Sequence, residues 1–258
     1  MPDKGTTKKV TRVEGGEAQS AAAARETKPF VASDESKAKA KRLRLFAIIS
    51  WIVAIGLEIG AIFLLTKPPI KTVWLIILII ADLIFAVTGS LLWKKSNRLN
   101  PASEKDKIKF FIQNQLGAII SFIAFLPLVI LIFTNKDMSG KQKGVVGGIA
   151  VVALVVAGFL GIDFNPPSQE QYAAQTAHVE SLTGANHVFW TKSGTHYHLY
   201  SDCYHINTNR TEEIYSGTVA QARELKNITE LCSTCEARVR KEKGLDPEKT
   251  TGVEEDKK

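Results

Sequence analysis

The strongest constraint on this chain is that its apolar residues are gathered into four long runs. The runs cover residues 44–66, 70–93, 108–134 and 144–162. A helix needs roughly 20 apolar residues to cross a hydrocarbon core of about 30 Å, and each run reaches about that length. Backbone polar groups in lipid must bond within their own segment, so the runs are predicted to be helices. Because the connections are short, we expect an up-down four-helix transmembrane bundle over residues 43–164.

The distribution of lysine and arginine predicts how these helices are oriented. Cytoplasmic segments next to transmembrane helices carry an excess of basic residues. Eleven basic residues flank the start of the first run and the second connection, against five around the first and third connections. We therefore expect a multi-pass protein of the cell (cytoplasmic) membrane with both termini in the cytoplasm. The net charge of +7 is attributed mainly to this topology rather than to nucleic-acid binding.

Two acidic residues lie within the apolar runs, Glu58 in the first and Asp82 in the second. An ionisable group at that depth is costly and is by default a functional hypothesis. One interpretation is a proton or cation path, which would make the chain a small transporter or channel subunit. The other is a pair of protonated carboxyl groups bonded to a neighbouring helix, and we favour this second interpretation.

Glycine spacing in the apolar runs indicates close helix contacts. Gly56 and Gly60 form one small-xxx-small pair, and Gly144 and Gly148 form another. Such pairs let two helix backbones approach closely. The glycine-rich helix faces therefore make a homo-oligomer possible.

The segments outside the bundle have distinct compositions. Residues 1–42 are poor in aromatic residues and rich in polar ones, so we predict a disordered cytoplasmic tail. Residues 165–186 are predicted to form a stalk helix, and residues 187–243 a small α+β domain. Residues 244–258 are predicted to be a disordered, charged tail.

Within the small domain, local patterns predict one hairpin and one helix. Residues 187–200 contain two β-prone stretches around a turn that ends at Gly194. Thr218 and Gln221 have the spacing of a capping box, which predicts a helix over residues 219–226. This helix leads the chain towards the last two cysteines.

The cysteines of this domain indicate a metal site. The chain has three, Cys203, Cys232 and Cys235, and an odd number argues against a closed disulfide framework. A domain of this size has too little core to be stable alone and usually needs a metal or disulfides. The Cys-x-x-Cys turn supplies two ligands, and His198 with Cys203 completes a tetrahedral set. We therefore predict a structural zinc ion held by these four residues.

The identity of the histidine ligand is left open by the sequence. His196 points the same way as His198 if the strand is regular, because side chains repeat every two residues. His205 follows Cys203 by two residues. Either one is an alternative to His198 as the fourth ligand.

A family resemblance accompanies these motifs. The stretch 188–194 reads VFWTKSG and is followed by Tyr197, His198 and Cys203, then an alanine-containing helix and the Cys232–Cys235 turn. This order is similar to the zinc-binding domain of the Ada DNA-repair methyltransferase and to the tail modules of some secreted nucleases. The resemblance implies a compact α+β unit with a structural four-ligand zinc site.

The resemblance does not extend to every feature of that family. The first ligand pair is one residue further apart than in those modules. In Ada the first ligand is the cysteine that accepts the methyl group, whereas His198 takes that place here. An imidazole cannot act as the thiolate nucleophile, so methyl transfer is not expected. The membrane region resembles no family that we can name.

Together these features favour a binding or scaffolding protein over an enzyme. The bundle would anchor a cytoplasmic zinc module, and the module would contact an unidentified protein or, less favoured, a nucleic acid. The alternatives are the transporter or channel built on Glu58 and Asp82, and a membrane-tethered thiol-disulfide oxidoreductase using Cys232 and Cys235.

Overall fold

The computed structural model describes residues 9–13, 30–226 and 228–244. Contacts divide the chain into two compact units. The helical unit is Val31–Glu170, and the mixed unit combines Met1–Phe30 with Gln171–Lys258. The described part of the chain is mostly helical and contains a small strand-bearing C-terminal region.

The helical unit is built from four long helices that cover the four apolar runs. They are α1 (Asp34–Leu65), α2 (Thr72–Leu99), α3 (Lys107–Thr134) and α4 (Gly140–Gly161). Each is long and apolar enough to cross a membrane, by length and composition. The expectation of four long apolar helices is therefore confirmed.

Helix α1 begins well before the apolar run, and this corrects the prediction of disorder through residue 42. The Ser33 side chain caps the helix by accepting the N–H of Ser36 at 3.1 Å. Asp34 and Glu35 place negative charge in the first turn, where the helix dipole favours it. Hydropathy cannot reveal such a polar extension, because the extension is set by capping and helix propensity.

The helical unit is apolar on both its inside and its outside. Its interior is packed with alanine, branched aliphatic and aromatic side chains, including Leu75, Ile79, Phe125 and Ile132. Its outer faces expose large apolar residues from all four helices, such as Ile52, Trp74, Phe122 and Val152. Water-soluble proteins rarely expose apolar surface on this scale, whereas lipid-facing surfaces require it.

The closest helix contacts occur at glycines other than the predicted pairs. A Cβ atom at Gly161 would lie 2.6 Å from the backbone nitrogen of Ala118, so α3 and α4 meet backbone to backbone there. At Gly56, Gly144 and Gly148 a Cβ would meet nothing within 4 Å among the described residues. At Gly60 a Cβ would lie 3.9 Å from the Leu78 side chain, an ordinary contact, so the predicted glycine pairs do not mark backbone-to-backbone contacts between the helices of one chain.

The described part of the mixed unit combines three helices with two small sheets. Its elements are β1 (Lys9–Arg12), α5 (Gln169–Thr183, whose first two residues belong to the helical unit), β2 (Val188–Thr191), β3 (His196–Tyr197), β4 (Glu213–Gly217), α6 (Val219–Lys226), β5 (Glu230–Leu231) and α7 (Ser233–Glu242). Strand β4 pairs antiparallel with β2 and parallel with β1, and β3 pairs parallel with β5. The strands and helices of this unit enclose one hydrophobic core, which includes Trp190, Tyr197, Ile214 and Ile228.

Strand β1 is a second correction to the predicted disordered tail. Val10 and Arg12 align with Ile214 and Ser216 of β4, and the N–H of Val13 donates to the Ser216 carbonyl at 2.9 Å. The strand has only four residues, and its partner lies about 200 residues away in sequence. Neither local periodicity nor composition can indicate such a pairing. The remainder of the predicted N-terminal tail up to residue 29, and residues 245–258 of the C-terminal tail, lie outside the described residues.

Candidate metal centre

Four side chains from three segments of the mixed unit meet at one point. Ligand atoms of His198, Cys203, Cys232 and Cys235 all lie within 4.8 Å of one another. The Cys235 Sγ lies 3.7 Å from the His198 Nδ1. Zinc with Zn–S bonds of about 2.3 Å and Zn–N bonds of about 2.0 Å has ligand atoms about 3.5–3.8 Å apart. The group therefore has the dimensions of a metal site.

The start of helix α7 positions the Cys-x-x-Cys pair. Cys232 is the N-cap residue of α7 and is extended, with φ −62° and ψ 117°, and Cys235 lies in the first turn. The Cys232 N–H donates to the Tyr197 carbonyl at 2.9 Å, which continues the pairing of β3 with β5. This bond places the Cys-x-x-Cys turn beside the strand that leads into His198.

A strand bridge and a tight turn position the other two ligands. His198 exchanges both backbone hydrogen bonds with Phe189, each 2.7 Å long. The Cys203 carbonyl accepts the N–H groups of Ile206 and Asn207 at 3.0 and 2.8 Å, which closes a turn behind the thiol. The predicted hairpin is thus present as β2, a turn and this bridge, although β3 itself pairs with β5.

Burial sets the protonation of the ligands in the metal-free protein. Burial raises the pKa of the Cys235 thiol to about 12, against the opposing effect of the backbone N–H groups of Leu199 and Tyr200. Burial also raises the pKa of Cys203, opposed by the N–H of His205. These thiols are therefore protonated at neutral pH, and a bound cation must displace their protons.

The histidine ligand is neutral for the same reason. Burial lowers the pKa of His198 to about 4, and the neighbouring His205 and His196 add to this effect. A neutral imidazole has a free ring nitrogen that can bind a metal ion. The N–H···S contacts to Cys235 and Cys203 are the kind of outer-shell bonds that orient thiolate ligands.

The structure separates His198 from the two alternative histidines. His196 bonds to Glu230 at 3.1 Å and to the Thr195 hydroxyl at 2.9 Å, and its side chain is 44% exposed. The His205 Nε2 bonds to the Thr234 hydroxyl at 3.2 Å, and its ring packs on Tyr204. Neither belongs to the four-residue group, so His198 is the histidine that the fold brings to the cysteines.

The ligand set limits what the site can do chemically. All four side chains are buried, and the three cysteines are free thiols. Four protein ligands fill a tetrahedral ion and leave no position for a substrate or an activated water. The arrangement therefore fits an ion that stabilises the fold.

The two acidic residues of the apolar runs, Glu58 and Asp82, belong to the helical unit, whereas the four residues of the cluster belong to the mixed unit. Glu58 is 5% exposed and Asp82 is 1% exposed. Both carboxyl oxygens of Asp82 and the Oε1 of Glu58 have no hydrogen-bond partner among the described residues. The favoured interpretation, a carboxyl bonded to a neighbouring helix, is therefore not met at Asp82.

One buried cation was missed by sequence reasoning. Arg223 is a charged residue in a polar stretch of sequence, which usually indicates an exposed side chain, but it is 1% exposed. It donates to the side-chain oxygens of Gln171 and Gln175 at 2.7 and 2.8 Å and lies over the Tyr172 ring. The helical spacing of Gln171 and Gln175 places both amides on one face of α5, which is the signal that could have indicated a partner.

Comparison with known proteins identifies no relative. No family model, curated protein or solved structure matches this chain. The similarity of the mixed unit to the Ada zinc-binding domain therefore stays a prediction based on its motif.

Proposed function

We propose that this chain is a multi-pass membrane protein whose mixed unit is a cytoplasmic zinc module that binds a protein partner. The zinc is structural in this proposal, and the four helices anchor the module. The observation that carries the proposal is the convergence of four buried metal-binding side chains within 4.8 Å.

The helical unit supports membrane insertion by its surface. Large apolar side chains cover its outer faces, and four helices have the length and composition of membrane spans. The excess of lysine and arginine before α1 and between α2 and α3 favours a cytoplasmic position for the segment before α1 and for the segment after α4.

The pairing of β1 with β4 supports an even number of crossings. Strand β1 precedes the four helices in the chain, and β4 follows them, yet the two strands are hydrogen-bonded neighbours. Segments on opposite sides of a bilayer cannot pair. Four crossings return the chain to its starting side, whereas three would not.

The choice of zinc rests on the donor set. Three thiols and one imidazole are soft and borderline ligands, which suit Zn²⁺ and disfavour Mg²⁺ or Ca²⁺. A thiol-disulfide exchange site needs a thiol of lowered pKa. Burial instead raises the pKa of Cys235 to about 12, and the third thiol and the imidazole have no role in such an exchange.

The charges of the module favour a protein over a nucleic acid as its partner. Arg223 is buried. Arg238 pairs with Asp202 and Glu242, and Arg240 pairs with Glu236. Phosphate binding requires basic side chains that are free to neutralise the backbone, and these pairs reduce that number.

The test is metal analysis of the full-length protein purified in detergent. We expect about one zinc per chain by elemental mass spectrometry, and its loss in Cys235→Ser, because three ligands bind zinc far more weakly than four. His196→Ala and His205→Ala are matched controls that should retain the metal. A well-folded, metal-free wild-type protein would reject the zinc assignment.

Three carboxyl oxygens, Oε1 of Glu58 and both of Asp82, lack a hydrogen-bond partner in the described part of the chain, and they favour a second candidate function, a proton or cation site within the bundle. Buried carboxyl oxygens without donors are costly unless a proton or cation satisfies them. In liposomes, the double variant Glu58→Gln and Asp82→Asn should abolish cation flux, and Glu104→Gln, an exposed acid, should leave it unchanged. Equal flux in the double variant and the wild type would remove both acids from this role.

A further inference from the structure

One end of the helical unit contains a cavity that mixes cationic and apolar lining. Its volume is about 620 Å³, and it is open to the outside. Helices α1, α2 and α3 all contribute to its lining. Arg44 and Trp93 form one part of it, and the first turns of α3 form the other.

The guanidinium of Arg44 is fixed in place before any ligand arrives. Its Nε donates to the Ser96 hydroxyl at 2.8 Å, and its Nη2 lies 3.5 Å from the Asn97 Oδ1 and 3.3 Å from the Asn100 carbonyl. Ser96 and Asn97 are fully buried. The guanidinium also lies over the Trp93 ring, 5.4 Å from its centre.

This anchoring leaves one edge of the guanidinium for a ligand. None of the hydrogen bonds that the described residues make to Arg44 uses Nη1. An immobilised guanidinium with free N–H donors is well suited to phosphate, since little side-chain entropy is lost on binding. Nε and Nη2 of Arg44 therefore hold the side chain in place, and Nη1 makes no hydrogen bond to the described residues and can meet a ligand.

Helix α3 supplies a second cation and the apolar wall. Lys109 lines the cavity, and its backbone N–H is capped by the Asp106 side chain at 3.1 Å. The Asp106 charge is therefore directed at the helix N-terminus, which offsets it. Ile108, Ile112 and Leu116 follow at four-residue spacing, so an apolar track leads away from the two cations along one face of α3.

We propose that this cavity binds one anionic phospholipid of the surrounding bilayer. Its phosphate is held between Arg44 and Lys109, and one acyl chain lies along the face formed by Ile108, Ile112 and Leu116. Basic pockets between transmembrane helices at the cytoplasmic side are suited to anionic headgroups. The proposal rests on the membrane insertion proposed above.

Charge and shape together favour a lipid over other anions. A free phosphate would use the two cations but not the apolar track. A zwitterionic lipid would use the track, but its ammonium group would meet two positive charges. Only an amphiphile with net negative charge satisfies both parts of the cavity.

The experiment is native mass spectrometry of the full-length protein released from nanodiscs with equal amounts of phosphatidylglycerol and phosphatidylcholine. We expect the wild type to retain one phosphatidylglycerol per chain. Removing a cation near a membrane surface lowers affinity about fivefold, so Lys109→Gln and Arg44→Gln should each lose that much. Lys136→Gln removes an exposed lysine from the α3–α4 connection and serves as the matched control with unchanged retention.

The outcomes separate this site from the membrane assignment. Recovery of the chain outside the carbonate-resistant membrane fraction would overturn both proposals. A membrane-inserted chain that retains the two lipids equally, or that retains phosphatidylglycerol in Lys109→Gln as strongly as the wild type does, would overturn the lipid site alone. Displacement of the lipid by millimolar inorganic phosphate would also overturn it, because the apolar track would then contribute nothing. Lys109 is exposed, so this variant tests the site even if Arg44→Gln fails to fold.

Discussion

The pKa values of the candidate metal ligands are shifted in opposite directions: those of the thiols Cys203 and Cys235 are raised, and that of the His198 imidazole is lowered. Burial produces both shifts, because it disfavours whichever form of each group is charged. Cys235 is therefore protonated in the metal-free protein across the neutral range. His198, with a pKa of about 4, is deprotonated across that same range.

These shifts predict how zinc affinity depends on pH. The proposed zinc ion must displace a proton from Cys235 and from Cys203, whose pKa values are both raised, while His198 gives up none. Each displaced proton weakens apparent affinity about tenfold for every unit by which pH falls, so these two of the three thiol ligands alone should cause roughly a 100-fold loss per unit between pH 8 and 6. Competition with a chelator of known pH dependence measures this. An affinity that does not vary with pH would show that the thiols are already ionised without metal.

The sequence was sufficient to predict which residues form the candidate site, but not the burial and hydrogen bonds of the residues around it. The spacing of Cys203, Cys232 and Cys235 identified three members of the cluster, and chemistry demanded a fourth. The sequence favoured His198, which lies in the cluster, but excluding the alternatives His196 and His205 required their hydrogen bonds, which only the fold reveals. The burial of Arg223 could not be predicted from its local sequence, because its partners Gln171 and Gln175 lie on another helix, α5.

At the scale of elements, local signals were sufficient where the determining residues are close in sequence. Helix α6 spans Val219–Lys226, as the capping box predicted. The Thr218 N–H donates to the Gln221 side chain at 2.9 Å, and the Gln221 N–H donates to the Thr218 hydroxyl at 3.2 Å. Strand β1 has no such local determinant, because it is formed by pairing with the edge of β4.

The role of β1 can be tested by deletion. Removing residues 1–13 should expose that edge of β4, so amides of Glu213–Gly217 should exchange with deuterium faster. Removing residues 1–8 alone leaves the described strand intact and serves as the control. Unchanged exchange after the longer deletion would show that β1 does not protect the sheet in solution.

At the scale of the whole molecule, the proposed topology places the connections on defined sides of the membrane. The α3–α4 connection should face outwards and the α2–α3 connection inwards. An impermeant maleimide should therefore label Lys136→Cys in intact cells and Lys105→Cys only after permeabilisation. The native thiols are buried, so the unmodified chain gives the background. The reverse labelling pattern would invert the orientation.

The distant pairing of β1 with β4 also sets an order of events during synthesis. Strand β1 leaves the ribosome first, but its partner at Glu213–Gly217 is made only after all four helices. In the proposed topology, the nascent chain must keep β1 unpaired, and on one side of the bilayer, until all four helices have been inserted. A product that stops short of β4 would then have the proposed membrane anchor but an incomplete sheet.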